Sequence, residues 1–317
     1  MNFSVISTQF PSLLLQGLAL GLIYALVSLG YTMVYGVLRL INFANSEVFM
    51  IGTFTTLYIQ TNFLGYTNLS QPIHGAKLWY SLLLSLVGSM VVSALVAVIV
   101  ELVAYRRLRA KGANRLASLI SAIGVSIVLL EGMGILTGSR PKSAPRLLEK
   151  WSFGEVAGAN FRIDTLLTIV IPIVIFVILT RFVTQTRLGK SIRAVSMSEE
   201  NSKLMGININ KVITLTFIIG GLTTGAASFL FMTVYENTAF NVGFNMGIAA
   251  FTAAVLGGIG NLKGAFYGGI ALGLMEQFAS AVIGSEWKAV TVFVVLVTVL
   301  LFKPNGLFGE AVQQTRT

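Results

Sequence analysis

The sequence predicts an all-α, polytopic integral membrane protein of about eight to nine transmembrane or re-entrant helices, on three observations. Of 317 residues, 55% are hydrophobic and only 11% are charged, where a soluble domain carries about 25% charged residues. The mean hydropathy is +0.82. Apolar runs of membrane length recur from one end of the chain to the other, with connectors too short to hold a soluble domain. Residues 1–317 are therefore expected to form a single transmembrane domain. The absence of cysteine excludes disulfides, thiolate metal sites and cysteine catalysis. A formal net charge of +10 is explained by Lys- and Arg-loaded cytoplasmic loops.

Residues 1–12 carry no charged side chain, unlike the basic start of a secretory signal. The run Leu13–Leu38 is long enough to span a bilayer of roughly 30 Å, and Gly17, Gly21 and Ala25 at four-residue spacing allow a neighbouring helix to approach closely. After Arg39 the next apolar segment, Ile41–Ile59, opens with Asn42, Asn45 and Glu47. A carboxylate at membrane depth costs about 2.5–3.5 kcal/mol on insertion scales. Two readings follow: the segment lines a cavity or gate, or Glu47 snorkels to the interface. Residues 60–77 form a polar loop whose His74, with no acidic or imidazole neighbour, reads as solvated.

Leu78–Ala104 is the next span, and it ends in the basic cluster Arg106, Arg107, Arg109, Lys111 and Arg115, which marks the cytoplasmic side. Nucleic-acid binding is disfavoured, because Tyr105 is the only aromatic beside those cations. Leu116–Leu136 crosses outward and contains Glu131. Parity then places the mixed-sign loop 137–162 outside, despite its basic excess, and Ile163–Thr180 returns. Val212–Tyr235 follows, with Gly221 and Gly225 as another close-packing pair. Phe244–Ile259 is short and leads into Gly257, Gly258, Gly260, Gly264, Gly268, Gly269 and Gly273. Each glycine lowers helix propensity by about 1 kcal/mol relative to alanine, so a break is expected near Asn261-Leu262-Lys263. Ala265–Ile283, which contains Glu276, and Trp287–Phe302 complete the set. The N-terminus is then outside and the C-terminus cytoplasmic. Ile41–Ile59 and Phe244–Lys263 are a pair of broken segments, one in each half, and such pairs point to a transport pathway.

The most charged interval between spans is 181–211, with Arg181, Arg187, Lys190, Arg193, Lys203 and Lys211. Within it, Ser196-Met197-Ser198-Glu199 has the form of a capping box, and Gly206 suits a left-handed helix end. A two-turn helix Met197–Met205 is expected, either docking on a partner or serving as a solvated connector. No Walker-type Gly-x-x-x-x-Gly-Lys-Ser/Thr occurs, and neither His-Glu-x-x-His nor Gly-x-Ser-x-Gly is present. With a single histidine, a His-based triad or metal site is disfavoured. Glu47, Glu131 and Glu276 suit either a proton relay or interhelical hydrogen bonding.

The chain resembles the permease subunits of branched-chain amino acid ABC transporters, relatives of urea and ribose ABC permeases. The likeness is carried by Gly21-Leu22-Ile23-Tyr24-Ala25-Leu26, Gly30-Tyr31-Thr32-Met33-Val34-Tyr35-Gly36 and Ile41-Asn42-Phe43-Ala44. It continues in Ser118-Leu119-Ile120-Ser121-Ala122-Ile123-Gly124, Arg140-Pro141-Lys142-Ser143 and Gly206-Ile207-Asn208. It closes with Phe251-Thr252-Ala253-Ala254-Val255-Leu256-Gly257-Gly258-Ile259-Gly260 and Pro304-Asn305-Gly306-Leu307.

The resemblance implies an ABC importer permease fold in a bacterial-type inner membrane. The chain itself would not be an enzyme and would need no cofactor or metal. Its partners would be a second permease, two cytoplasmic ATPase subunits that hold ATP and magnesium, and an external solute-binding protein. The cargo would be a branched-chain, hydrophobic or neutral amino acid. Urea or a short-chain amide is the alternative within the family, and a proton-coupled secondary transporter is the rival outside it. Arg193, Ala194, Met197, Glu199, Glu200, Leu204 and Gly206 would form the ATPase-coupling segment. Asn42, Asn45, Glu47, Gly257, Gly258 and Glu276 are the translocation-pathway candidates. The chain departs from the family in having Asn45-Ser46 where His-Gly is common, and Glu131 where relatives often have glutamine.

Overall fold

The computed structural model describes residues 3–66, 73–148, 152–156 and 159–309. The first helix, α1 (Phe3–Leu38), is bent at Gln9. Next come α2 (Asn45–Tyr58), prolonged by a π-helical turn Ile59–Phe63, and α3 (Ala76–Val100), which runs through a π-helical stretch Glu101–Arg106 into α4 (Arg107–Ala110). They are followed by α5 (Arg115–Thr137), α6 (Ile163–Gln185), α7 (Arg187–Met197) and α8 (Glu199–Leu204). The chain then forms α9 (Ile209–Tyr235), α10 (Val242–Gly257), α11 (Leu262–Ile283) and α12 (Lys288–Phe302). Strand β1 (Lys142–Ser143) pairs antiparallel with β4 (Asn237–Thr238), and β2 (Ser152–Val156) pairs with β3 (Ala159–Arg162).

Among the described residues, seven helices are long and apolar enough to cross a membrane. Outside that set, α2 has 14 residues and α10 has 16. At 1.5 Å per residue α10 reaches about 24 Å, less than the roughly 30 Å hydrocarbon layer, and α2 reaches about 21 Å before its π-helical prolongation. These are the two segments the sequence marks as broken. The break after α10 falls at Gly258–Asn261, and Asn261 caps α11 by accepting from the Lys263 and Gly264 amides. The third span continues beyond Ala104 because Glu101, fully buried, pairs with Arg106 and Arg109 at 3.0 and 3.5 Å. That ion cluster holds the next two turns helical.

At the centre is α1, buried on every side from Leu22 to Leu29, as expected of a helix that is apolar all round. Small residues set the spacing of its neighbours, since lipid gives helices no hydrophobic drive to associate. A Cβ at Gly21 would lie 2.8 Å from the Ile270 Cα on α11, and Gly269 in turn abuts Ala25. The Gly221 and Gly225 pair does the same for α9 against Ala94 and Met90 of α3, where Ser89 donates to the Gly225 carbonyl at 2.9 Å.

Loops group at two opposite ends. At the basic end, Arg39 donates to the Ser196 carbonyl (3.1 Å) and Arg109 to Asn210 (2.8 Å). At the other end lie the β1–β4 pairing, the Ile73–Leu147 backbone bond and the Arg146–Glu236 ion pair. This is the grouping that parity requires. The basic excess of 137–162 is partly neutralised by that pair and by Arg162–Asp164. By contrast α5 and α12 bury little against the rest of the chain.

Candidate functional site

The site is built where the two short helices begin. Beyond Leu38 the backbone takes a left-handed turn at Arg39 (φ 51°) and re-enters the bundle. As a result α2 starts beside Gly30, eight residues or about 12 Å inside the end of α1. Its first amides are satisfied by the preceding turn, with Asn45 N–H donating to Asn42 O and both Glu47 and Val48 N–H donating to Ala44 O, each at 3.1 Å. The Tyr105 hydroxyl fixes that turn by donating to Asn42 Oδ1 at 3.2 Å. Thr224 donates to Asn45 Oδ1 at 3.3 Å, while Asn45 Nδ2 has no partner.

The first turns of α10 sit directly against Ser46. A Cβ at Gly243 would meet the Ser46 carbonyl at 2.5 Å and Glu47 Oε2 at 3.1 Å, and one at Gly247 would lie 3.2 Å from the Tyr31 hydroxyl. Only glycine at these two positions lets the helices meet. Tyr31 and Phe43 both pack on Phe251, each with ring centroids 6.4 Å apart. Glu47 is 2% exposed. Its Oε1 faces Ser46 Oγ at 3.1 Å and Ser126 Oγ of α5 at 3.3 Å, whereas Oε2 has no hydrogen-bond partner. Ser46 Oγ also lies 2.6 Å from the Phe43 carbonyl, and its single proton serves one acceptor at a time.

Asn42, Asn45 and Glu47 therefore come together, and the other pathway candidates do not join them. Gly257 and Gly258 lie at the basic end, where the C-terminal segment closes over α10 through Leu307 N–H to Leu256 O (2.8 Å) and Phe308 N–H to Gly257 O (3.0 Å). The small size of Gly258 serves that packing, and that of Gly257 lets α10 meet Gly264 at the start of α11. Glu276 is buried between α11 and α1 and accepts from the Tyr24 hydroxyl at 2.8 Å. Glu131 is on the exposed face of α5. No hydrogen bond or ion pair links these three carboxylates among the described residues. No three His, Asp or Glu side chains there are placed to share a metal ion. Away from the basic end, a cavity of about 1070 Å³ opens between α2, α5 and the strand β1, which contributes Lys142.

The charged interval forms a helical hairpin at the basic end. Thr186 caps α7 by accepting the Gly189 amide at 3.0 Å, and Ile192 and Val195 bury one face of that helix. The expected Met197–Met205 helix capped by Ser196 is shifted. Ser198, extended at φ −153°, is the cap, accepting the Asn201 amide at 3.2 Å, and α8 runs from Glu199. Ser196 falls inside α7, where burial of Val195 keeps the helix going, and its hydroxyl donates to Arg193 O at 2.7 Å. Gly206 (φ 77°) follows α8 in the left-handed conformation. Arg193 donates to Thr184 O at 3.2 Å, Ala194 is half-buried, Glu199 pairs with Lys203 at 3.1 Å and Glu200 is exposed. The tip of the hairpin carries Met197, Leu204 and Met205, which are 84%, 85% and 83% exposed.

Sequence reasoning did not single out Ser126, Gly243, Gly247 or Met205. The small-x-x-x-small spacing of Gly243 and Gly247 was a usable signal for the second and third of these. Nothing in the sequence marks Ser126.

Residues 13–300 match the family described as branched-chain amino acid transport system / permease component. The chain is 40% identical over 302 residues to the high-affinity branched-chain amino acid transport system permease protein BraD of Pseudomonas aeruginosa, covering 94% of this chain and 95% of that protein. It is 37% identical over 311 residues to the permease protein LivH of Escherichia coli K12, covering 96% and 98%. The solved structure of PsaBC from Streptococcus pneumoniae, in complex with Fab, matches 96% of this chain and 97% of its own at 14% identity and a TM-score of 0.49.

Proposed function

Because the chain belongs to the branched-chain amino acid transport permease family, we propose that it is the membrane-spanning subunit of an ATP-binding-cassette importer for branched-chain or other neutral amino acids. ATP hydrolysis takes place on two partner subunits at the cytoplasmic face. A second permease and an external solute-binding protein complete the complex. The N-terminus faces outward and the basic end lies in the cytoplasm of a bacterial-type inner membrane, in keeping with the positive-inside rule.

One observation carries the coupling role. Met197, Leu204 and Met205 stand nearly fully exposed on a capped, anchored hairpin at the basic end. Outside the bilayer, three adjacent large apolar side chains suit burial in a partner's groove. In the mechanism we infer, ATP closes the partner subunits and they push on α7 and α8. The junction of α2 and α10 then moves between outward- and inward-facing arrangements.

The test is purification in mild detergent followed by uptake in proteoliposomes. Copurification of two ATPase subunits and a second permease, with leucine uptake that needs both ATP and the binding protein, is the expected result. Uptake driven by a pH gradient without ATPase chains would overturn the reading. Urea uptake in place of leucine uptake would reassign the cargo.

A further inference from the structure

We propose that the space between α2 and α5 is the substrate's route through the half of the bundle away from the basic end, and that Glu47, at its closed base, receives the ammonium group of an apolar amino acid. This rests on the amino acid importer reading above and assigns a residue and a chemistry to it.

The geometry begins with one face of α2. Glu47, Ile51, Phe54, Tyr58 and Asn62 follow each other at steps of three or four residues, so they form one stripe. The last four of them line the cavity of about 1070 Å³. Across from that stripe, Ser126, Met133 and Thr137 share a face of α5, and Met133 and Thr137 line the same cavity. The two stripes converge at the base, where the Ser126 hydroxyl donates to Glu47 Oε1 at 3.3 Å. Glu47 therefore lies one helical turn beyond Ile51, the last α2 residue that lines the cavity, and its bond to Ser126 forms the closed base between them.

What the base lacks identifies what it takes. Glu47 Oε2 has no hydrogen-bond partner although the residue is 2% exposed. Among the described residues no lysine or arginine pairs with it, and its neighbours supply hydroxyls to the other oxygen only. An unfilled carboxylate oxygen in an interior calls for a cationic donor, and an ammonium group offers three N–H bonds. Beside that oxygen begins α10, sixteen residues long, with no side-chain cap on its first-turn amides. The Val242 amide bonds back to Ala239 O at 3.1 Å, and the positive end of the helix dipole favours a carboxylate. Ile51 and Phe54, a turn or two farther along α2, offer an apolar wall. An anionic acceptor, the positive end of a helix dipole and an apolar wall together match a zwitterionic amino acid with an apolar side chain.

Closure is built to be reversible. Past its first turns, which lean on the stretch joining α3 to α4, α5 packs chiefly on α2. Opening the base breaks one side-chain hydrogen bond and frees Val125 and Leu129, which pack only on the edge of the core.

The experiment uses the complete transporter in nanodiscs, without the external binding protein, whose own selectivity would mask the permease. Radiolabelled leucine is the probe. Leucinamide, which keeps the ammonium group, and 4-methylpentanoate, which lacks it, are the competitors. Leucinamide is expected to compete and 4-methylpentanoate to fail. Glu47→Gln should weaken leucine binding by about tenfold or more, because a charge-assisted hydrogen bond is replaced by a neutral one. Glu47→Asp, which keeps the charge, should lose less. Ser126→Ala should speed leucine exchange and change affinity by less than about twofold, because it removes the closure and leaves the acceptor.

A Glu47→Gln complex that assembles normally and binds leucine like wild type overturns the proposal. So does equal competition by 4-methylpentanoate, or no leucine retention by a wild-type complex that imports leucine with its binding protein. Leucine binding that needs sodium and tolerates loss of the ammonium group would give Glu47 to an inorganic cation, which also overturns it. A wild-type complex that imports no neutral amino acid with its binding protein sinks the importer reading itself, a separate result.

Discussion

Truncating Leu204 to alanine should weaken attachment of the ATPase subunits while leaving the permease's own stability unchanged. The side chain is 85% exposed at the end of α8, and surface substitutions of that kind shift stability by about 0.5 kcal/mol or less. If Leu204 enters a groove on the ATPase, the change removes three buried carbons at about 0.8 kcal/mol each, or about 2 kcal/mol after allowance for incomplete burial. At 1.4 kcal/mol per decade that is about a thirtyfold rise in Kd. The permease pair, reconstituted in nanodiscs, would be titrated with fluorescently labelled ATPase subunit. The thermal unfolding of the permease alone would be followed in parallel. A Kd within about twofold of wild type, with unfolding also unchanged, would refute docking at this tip, because the loss worked out above is far larger than that. A matching fall in permease stability would show that Leu204 packs within its own chain.

Gly206→Val should uncouple hydrolysis from transport. There is open space around this glycine, so no clash arises, but φ is 77°, and a β-branched residue there costs about 1–2 kcal/mol and tilts the end of α8. Coupled leucine uptake at the wild-type rate by a normally assembled complex would count against the docking role. Ser198→Ala should speed amide hydrogen exchange across α8 by the loss of a cap worth about 1 kcal/mol, and Ser196→Ala should not. The reverse pattern would restore Ser196 as the cap. Glu101→Ala should destabilise the basic end by about 3 kcal/mol, the low end for a broken buried pair, since Arg106 and Arg109 keep access to water. A drop of several degrees in the detergent melting temperature is expected, and an unchanged one would show that the ion cluster is dispensable.

What the sequence made legible follows from cost. Polar residues inside an apolar run are expensive, so Asn42, Asn45 and Glu47 stood out and prove to be gathered at the start of α2. Small residues at four-residue spacing have one main use in lipid, so the Gly17–Gly21 and Gly221–Gly225 pairs foretold the close helix contacts. Glycine density around Gly257 carried two meanings, a break and a close approach. The pathway assignment took the first; in the structure Gly257 lies against Gly264 of α11 and Gly258 against the C-terminal segment, which shows the second. The cap shift has a similar origin. Ser196 and Ser198 are both suitable cap residues, and burial of Ile192 and Val195, a tertiary effect, carries α7 past the first. Ser126 had no local signature because serine in a membrane helix most often bonds its own backbone. Only the placement of α5 against α2 gives it Glu47 as a partner.

The hairpin and the junction are joined through Arg39. Its guanidinium donates to the Ser196 carbonyl at the end of α7, and its backbone makes the left-handed turn that sends the chain back to Asn42 and Glu47. A push on α7 can thus reach the start of α2 through Arg39, whose two functions can be separated. Arg39→Gly keeps the turn, since glycine adopts φ 51° without strain, and removes the hydrogen bond. The relief of backbone strain offsets part of any stability loss, so the fold should survive. The bond is solvent-exposed and worth about 1 kcal/mol, which limits the effect to roughly a fivefold fall in leucine imported per ATP hydrolysed. Measuring uptake and hydrolysis on the same proteoliposomes gives that ratio directly. An unchanged ratio would mean that force travels to α2 by another contact, with α1, α6 and α9, which also pack against the hairpin, as the other mechanical connections.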